Sequence, residues 1–211
     1  MLALQSSRTQ SRARSLSLLL PVLIAFASPL ALTSCGYNTI QSYDEQAEQA
    51  KKNIDAQLQR RADLIGNLVN TVKGLAQQES DVFVGIAKAR AGLTGALQKP
   101  GGSDPAETAN ANQQLTSALS RMNIVIEQYP QLKSDQGFLK LQDELTGTEN
   151  RIAVSRTDYN GTVRTYNEYI RKFPAVVTAK ATGAKPRTYF EVTDAAARAA
   201  PTVDFSKPAA K

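Results

Sequence analysis

Apolar residues recur at intervals of three and four along most of the chain, which is the spacing of one face of an α-helix. The clearest case is the stretch from Gln57 to Gly74, QLQRRADLIGNLVNTVKG. Its apolar positions are Leu58, Ile65, Leu68, Val69 and Val72, with Leu64 beside them. Because this spacing follows a helix and not a strand, the pattern predicts an all-α fold.

Glycine, proline, serine and aspartate divide the periodic segments into four long predicted helices. We expect them at about Ser42 to Lys73, 79–98, 105–128 and 135–172. Ser103 or Asp104 can cap the third helix, with Pro105 at its first position, and Asp135 can cap the fourth. A short extra turn should end at Gly183, after which Tyr189 and Phe190 can dock. The predicted fold is an antiparallel, up-and-down bundle of about four long helices.

The fourth helix carries the longest apolar face, with a three-four alternation typical of a bundle or coiled-coil seam. Its expected core positions are Phe138, Leu141, Leu145, Thr148, Ile152, Ser155, Tyr159, Val163 or Thr162, Tyr166, Ile170 and Phe173.

The N-terminal 35 residues have the pattern of a secretory signal, with Arg8, Arg12 and Arg14 before an apolar run from Leu16 to Ala31. The run ends in Leu-Thr-Ser-Cys, which resembles a bacterial lipobox, so we expect Cys35 to be the lipid-attachment residue. The alternative is an uncleaved N-terminal membrane helix. The run contains two prolines and is 16 residues long, short of the roughly 20 that span a bilayer, which favours the lipoprotein.

Two stretches closely resemble the LemA family of membrane-anchored helical bundle proteins. QLQRRADLIGNLVNTVKG matches the family signature QLQRR-x-DLI-P-NLV-x-TVKG, with Gly66 at the usual proline position. ENRIAVSRTDYNGTVRTYNEYIRKFP, from Glu149 to Pro174, is the second stretch, and AKAR (Ala87 to Arg90) and KPRTYFEV (Lys185 to Val192) resemble shorter family segments. The resemblance implies membrane association but no reaction.

Polar residues form a stripe on each of the two family-like helices. The first polar stripe is Gln59, Asp63, Asn67 and Asn70, and the second polar stripe is Glu149, Arg156, Asn160 and Asn167. The stripes can form a ligand or partner surface, meet each other in a hydrogen-bonded seam, or remain solvated flanks. The seam is the favoured interpretation because a buried amide left unpaired costs about 1–3 kcal/mol, and pairing the two stripes would avoid that cost. The neighbouring pair Arg60-Arg61 is expected to face solvent or to lie over apolar surface.

Composition removes several kinds of chemistry. With no histidine and one cysteine, the chain cannot build a histidine-based metal site, a Ser-His or Cys-His pair, or an internal disulfide. We therefore expect no catalytic residue, no metal and no cofactor. Of the formal net charge of +6, three charges fall in residues 1–35, and the remaining +3 is too weak to indicate nucleic-acid binding.

The sequence thus predicts a signal peptide (1–35), a helical domain (36–192) and a disordered tail (193–211). The leading hypothesis is a non-enzymatic envelope lipoprotein, facing the periplasm or exterior, that binds an unidentified protein partner. The alternative is a lipid- or small-molecule-binding module that uses the two polar stripes.

Overall fold

The structure, a computed structural model, describes the backbone of residues 8–75 and 79–192 and the side chains of 36–74 and 79–192. Within these ranges there are five α-helices, one 3-10 turn and no strand. The helices are α1 (Arg8–Leu75), α2 (Ser80–Leu97), α3 (Pro105–Gln128), α4 (Gln136–Tyr169) and α5 (Ala175–Thr182), with the turn at Leu132–Ser134. The predicted all-α class is confirmed.

The predicted helix boundaries agree closely with the structure except at the start of α1. This helix begins at Arg8 and not near Ser42. The prediction depended on an amphipathic period, and a uniformly apolar segment such as Leu16 to Ala31 has no such period to detect.

The predicted signal peptide, the side chain of Cys35 and the predicted tail at 193–211 lie outside the described side chains. No helix among the described residues combines the length and the apolar character needed to cross a bilayer.

Capping side chains begin α3 and α4 as the sequence predicts. The Asp104 carboxylate accepts a 2.8 Å hydrogen bond from the Glu107 N–H, and Asp135 accepts one of 2.7 Å from Phe138. Each satisfies a backbone donor that a helix N-terminus leaves unpaired. At the other end, Gly183 closes α5 in the left-handed conformation (φ +74°), which glycine adopts without strain.

Packing divides the described chain into two compact units. Among the residues whose side chains the structure describes, the first unit consists of residues 36–46 and Arg164–Arg187. Its core is formed by Ile40, Tyr166, Ile170 and Ala179. The ring of Tyr43 meets Tyr169 edge to face, with 5.2 Å between the ring centroids, a favourable aromatic geometry.

The second unit consists of Ala47–Val163 and residues 188–192. One continuous apolar core runs through it, to which α1, α2, α3 and α4 all contribute. Its largest fully buried side chains include Ile54, Leu58, Ile65, Ile86, Leu93, Leu115, Met122, Phe138 and Tyr159. Phe190 is buried in the same core and Tyr189 packs against it, so both aromatic residues serve packing in this unit.

The apolar face predicted for α4 is largely correct and has one error. Val163 is fully buried, which decides between it and Thr162. Phe173 is 84% exposed and not a core residue. The reason is that α4 ends at Tyr169, and the next hydrogen bonds, Arg171 N–H to Glu168 and Lys172 N–H to Tyr169, span three residues instead of four. This tighter turn moves the following side chains off the helical face.

Replacing Ile152 by aspartate should unfold the second unit. Ile152 is buried in the core, and an unpaired charge there costs several kcal/mol of the roughly 5–15 kcal/mol that stabilises a typical domain. Val154→Asp, two residues along the same helix at an exposed position, is the matched control. Urea and thermal unfolding followed by circular dichroism should separate the two variants, and equal midpoints would contradict the assignment of the core face.

Candidate functional site

The guanidinium of Arg61 joins three helices of the second unit. Arg61 is only 6% exposed. It donates to Asn112 Oδ1 at 2.6 Å and Thr116 Oγ1 at 3.1 Å on α3, and lies 2.9 Å from Glu149 Oε2 on α4. Burial lowers the pKa of Arg61, while the neighbouring carboxylate of Glu149 acts in the opposite direction. Such a fork of directed donors fixes the mutual register of α1, α3 and α4.

The expectation that the Arg60-Arg61 pair faces solvent or lies over apolar surface is therefore wrong for Arg61, whose guanidinium is buried among polar partners, whereas Arg60 is exposed. The signal was available in the spacing. Arg61 lies three residues after Leu58 and four before Ile65, both of which are core positions, so helical geometry places it on the buried face.

A second arginine, Arg90 of α2, lies across α1 at Gly66. Its Nε donates to the carbonyl oxygen of Ala62 at 2.7 Å, and its Nη2 is 3.9 Å from Asp63 Oδ1. A Cβ atom on Gly66 would lie 3.2 Å from the Arg90 guanidinium carbon, so the glycine permits this close approach. The AKAR segment on α2 and the QLQRR-containing segment on α1 therefore meet at this contact.

Arg90 borders an open groove between α1 and α2, with a volume of about 540 Å³. We refer to it as the α1–α2 groove. Asp63, Asn67, Asn70 and Lys73 line one side, and Phe83, Val84, Ala87 and Arg90 line the other. The lining thus combines amides and charges of both signs with an apolar strip on α2, a surface that suits an amphipathic ligand.

The first polar stripe belongs mainly to this groove and not to the core. Asp63, Asn67 and Asn70 are exposed, and Gln59, which is half-buried, donates to Asp63 at 3.0 Å within the same helix. Three of the four side chains are thus exposed and line the groove.

The second polar stripe divides into two pairs. Glu149 and Arg156 are exposed, and Glu149 is the ion-pair partner of Arg61. Asn160 and Asn167 instead bind the backbone of the segment that follows α5.

In the second unit, Asn160 accepts a hydrogen bond from the Phe190 N–H at 2.9 Å, and its amide donates to the Phe190 carbonyl at 3.4 Å. The hydroxyl of Tyr159 donates to the Thr188 carbonyl at 2.7 Å. A primary amide has a donor and an acceptor side by side, so it can satisfy both backbone groups of one residue as a neighbouring strand would.

In the first unit, Asn167 makes the same pair of bonds with Arg187, accepting from its N–H at 2.8 Å and donating to its carbonyl at 2.9 Å. The Arg187 guanidinium in turn lies 2.7 Å from Asp44. Asn167 is buried, and both of its polar groups are satisfied.

A seam between the two polar stripes is not formed in the described part of the chain. The amides of Asn160 and Asn167 are paired with backbone, Gln59 is paired within α1, and Asn67 and Asn70 are exposed. Arg61, which belongs to neither stripe, supplies the interhelical polar contact instead.

These features define an all-α protein in which buried polar side chains fix the packing of helices and an open groove lies between α1 and α2. The LemA family model matches residues 50–205 of the chain. The chain therefore belongs to the LemA family. This membership supports a membrane-associated protein, as the resemblance in the sequence implies.

The chain is also similar to three magnetosome proteins. Magnetosome proteins MamQ 1 and MamQ 2 of Paramagnetospirillum magneticum are each 30% identical to it, over 80% of this chain and 68% of theirs. Magnetosome protein MamQ of Magnetospirillum gryphiswaldense is 29% identical over the same shares.

Truncating Arg61 to alanine should destabilise the second unit by about 2 kcal/mol or more, because the partly buried Asn112 and Thr116 lose their charged donor. Arg60→Ala should change the free energy of unfolding by less than about 0.5 kcal/mol, as is usual for an exposed position. Urea denaturation of both variants measures the difference. Equal stabilities would show that the Arg61 contacts do not hold the three helices together.

Proposed function

We propose that this chain is a non-enzymatic, membrane-anchored envelope protein that binds another protein through the α1–α2 groove. The observation that carries the proposal is the position of the first polar stripe. Asp63 and Asn67 occupy specified positions of the family signature, yet they are exposed and line the groove together with Asn70. Exposed polar residues in this segment do not contribute to core packing. Their position in the groove therefore points to recognition of a ligand outside the fold.

The chemistry of the groove favours a protein segment as its occupant. Val84 and Ala87 offer an exposed apolar strip on α2, and the facing wall offers amides that can donate and accept. Amphipathic helices commonly dock in grooves of this kind, with apolar side chains inward and polar contacts at the edges. Val84 is an exposed large apolar residue at this surface, which suits such contacts.

The alternative function, a lipid- or small-molecule-binding module that uses both polar stripes, has less support. The amides of Asn160 and Asn167 each donate one hydrogen bond to the protein's own backbone and accept one from it. The second polar stripe therefore has fewer free polar groups to offer a ligand than its sequence suggests.

The anchor proposed for the envelope location is a lipid on Cys35. The sequence Leu-Thr-Ser-Cys follows a basic start and an apolar run, which is the arrangement of a lipoprotein signal. Several acyl chains on one residue give stable membrane attachment, whereas a single chain gives a reversible one. The domain would then face the periplasm or exterior, and the alternative anchor is the uncleaved N-terminal helix.

Filling the groove should abolish partner capture. Asn67→Arg and Asn70→Arg place long side chains in the groove, and arginine is a better helix former than asparagine, so the fold should remain intact. A photo-crosslinking residue at Lys73 in living cells should trap a reproducible protein partner in the native background. We expect each variant to reduce that adduct by roughly tenfold, the effect of about 1.4 kcal/mol.

Asp143→Arg is the matched control for this experiment, because Asp143 is exposed on α4 and does not line the groove. It should leave the adduct unchanged. Absence of any reproducible adduct, or equal adducts in all variants, would contradict binding through the groove.

Cys35→Ser should prevent lipidation, because a hydroxyl is a far weaker nucleophile than a thiolate at neutral pH. Unprocessed precursor should accumulate, and mass spectrometry should find an acylated N-terminal Cys35 in the unsubstituted chain but no acylated N-terminus in the Cys35→Ser variant. Ser34→Ala, which keeps a small residue before the cysteine, is the control. An unsubstituted chain that begins near Met1 and resists carbonate extraction would instead establish the uncleaved helix.

A further inference from the structure

The first unit exposes large apolar side chains around α5. Phe173 is 84% exposed in the turn before this helix, and Val177, within it, is 55% exposed. The opposite face of α5 is buried, since Ala175, Thr178 and Ala179 all have little access to solvent. The short helix is thus seated in its unit by small residues and presents Val177 outward. Packing within the first unit does not account for that arrangement.

Basic residues flank these exposed apolar residues along the sequence. From Tyr169 to Phe190 the sequence has five basic residues and no acidic one. Two of the five have partners in the first unit, since Lys172 lies 3.4 Å from Glu168 and Arg187 lies 2.7 Å from Asp44. Arg171, Lys180 and Lys185 are exposed. An exposed apolar residue flanked by cations is the composition of a segment that lies in the headgroup layer of a membrane.

The position of α5 along the fold strengthens this interpretation. Gly36, the residue directly after Cys35, packs against α5, where a Cβ on Gly36 would lie 3.2 Å from Thr178 Oγ1 and 4.0 Å from Ala175 Cα. Tyr37, the next residue, is one of the exposed large hydrophobic residues. Tyrosine is enriched where proteins meet the membrane interface. Any anchor within residues 1–35 therefore places α5 close to the membrane surface.

We propose that Phe173, Val177, Arg171, Lys180 and Lys185 form a second membrane contact, which inserts Phe173 among lipid headgroups and binds anionic phospholipid. We name these five residues the α5 membrane patch. The inference rests on the proposed membrane anchoring and adds to it a defined orientation of the first unit on the bilayer. A membrane suits the patch better than a protein partner because its three charged residues, Arg171, Lys180 and Lys185, are all cations.

The experiment uses the absence of tryptophan from the chain. Phe173→Trp introduces a single indole at an exposed position. The full chain, purified from membranes with its own N-terminus, is reconstituted into phosphatidylcholine vesicles with and without phosphatidylglycerol and with brominated acyl chains as quenchers. Ile124→Trp is the matched control, because Ile124 is 63% exposed on α3 in the second unit.

We expect the indole emission of the Phe173→Trp chain to shift to shorter wavelength on reconstitution. It should be quenched at least about twofold more than the emission of the Ile124→Trp control, as burial near the acyl boundary requires. Phosphatidylglycerol should increase the quenching of the Phe173→Trp chain. Lys180→Glu combined with Arg171→Glu should remove that increase.

Three results would contradict the proposal at different levels. If both indole variants float with the vesicles and are quenched equally, the α5 membrane patch is overturned and the anchor stands. Equal quenching of the Phe173→Trp chain with and without phosphatidylglycerol would overturn the role of the cations. A chain that does not float with vesicles would overturn the anchoring itself, and the patch with it.

Discussion

The buried guanidinium of Arg61 is the contact on which the helix packing of the second unit depends. Apolar side chains alone allow long helices to slide by a turn, since one leucine can replace another in the same hole at little cost. A charged, planar group with directed donors does not tolerate such a shift, because its loss of partners leaves a buried charge uncompensated. Asn112, Thr116 and Glu149 together fix where α3 and α4 meet α1.

This fixed register has a direct effect on the α1–α2 groove. Arg61 and Ala62 are neighbours, and the Ala62 carbonyl receives the Arg90 side chain from α2. Two adjacent residues of α1 are therefore held by different contacts. Arg61 is held through its own side chain, and Ala62 is held through its backbone carbonyl by Arg90. With α1 held in this way, the side chains of Asp63, Asn67 and Asn70 have a defined setting in the groove without making core contacts themselves.

The periodic pattern was sufficient for the helices, their caps and most of the core, because burial of an apolar face is a local property that repeats along the sequence. It failed where a distant partner decides the outcome. The helical spacing places Arg61 on the buried face, but its acceptors lie on α3 and α4 and no local pattern shows them. Phe173 is exposed because the chain tightens after the end of α4, which breaks the helical period before that residue. The residues of the two polar stripes can be identified from the sequence. Their different roles become clear only from the hydrogen-bond partners of Asn160 and Asn167.

The two asparagine amides recognise main-chain groups and not side chains, and this sets the substitution tolerance of the segment they hold. Asn167 needs only an N–H and a carbonyl at position 187, and Asn160 needs the same at position 190. Every residue type except proline offers both groups, since proline alone lacks the N–H. Pro186 stands directly before the first of these positions, where no such donor is required. A change of side chain at position 187 would therefore lose the ion pair with Asp44 but keep both hydrogen bonds to Asn167, provided that proline does not move forward by one residue.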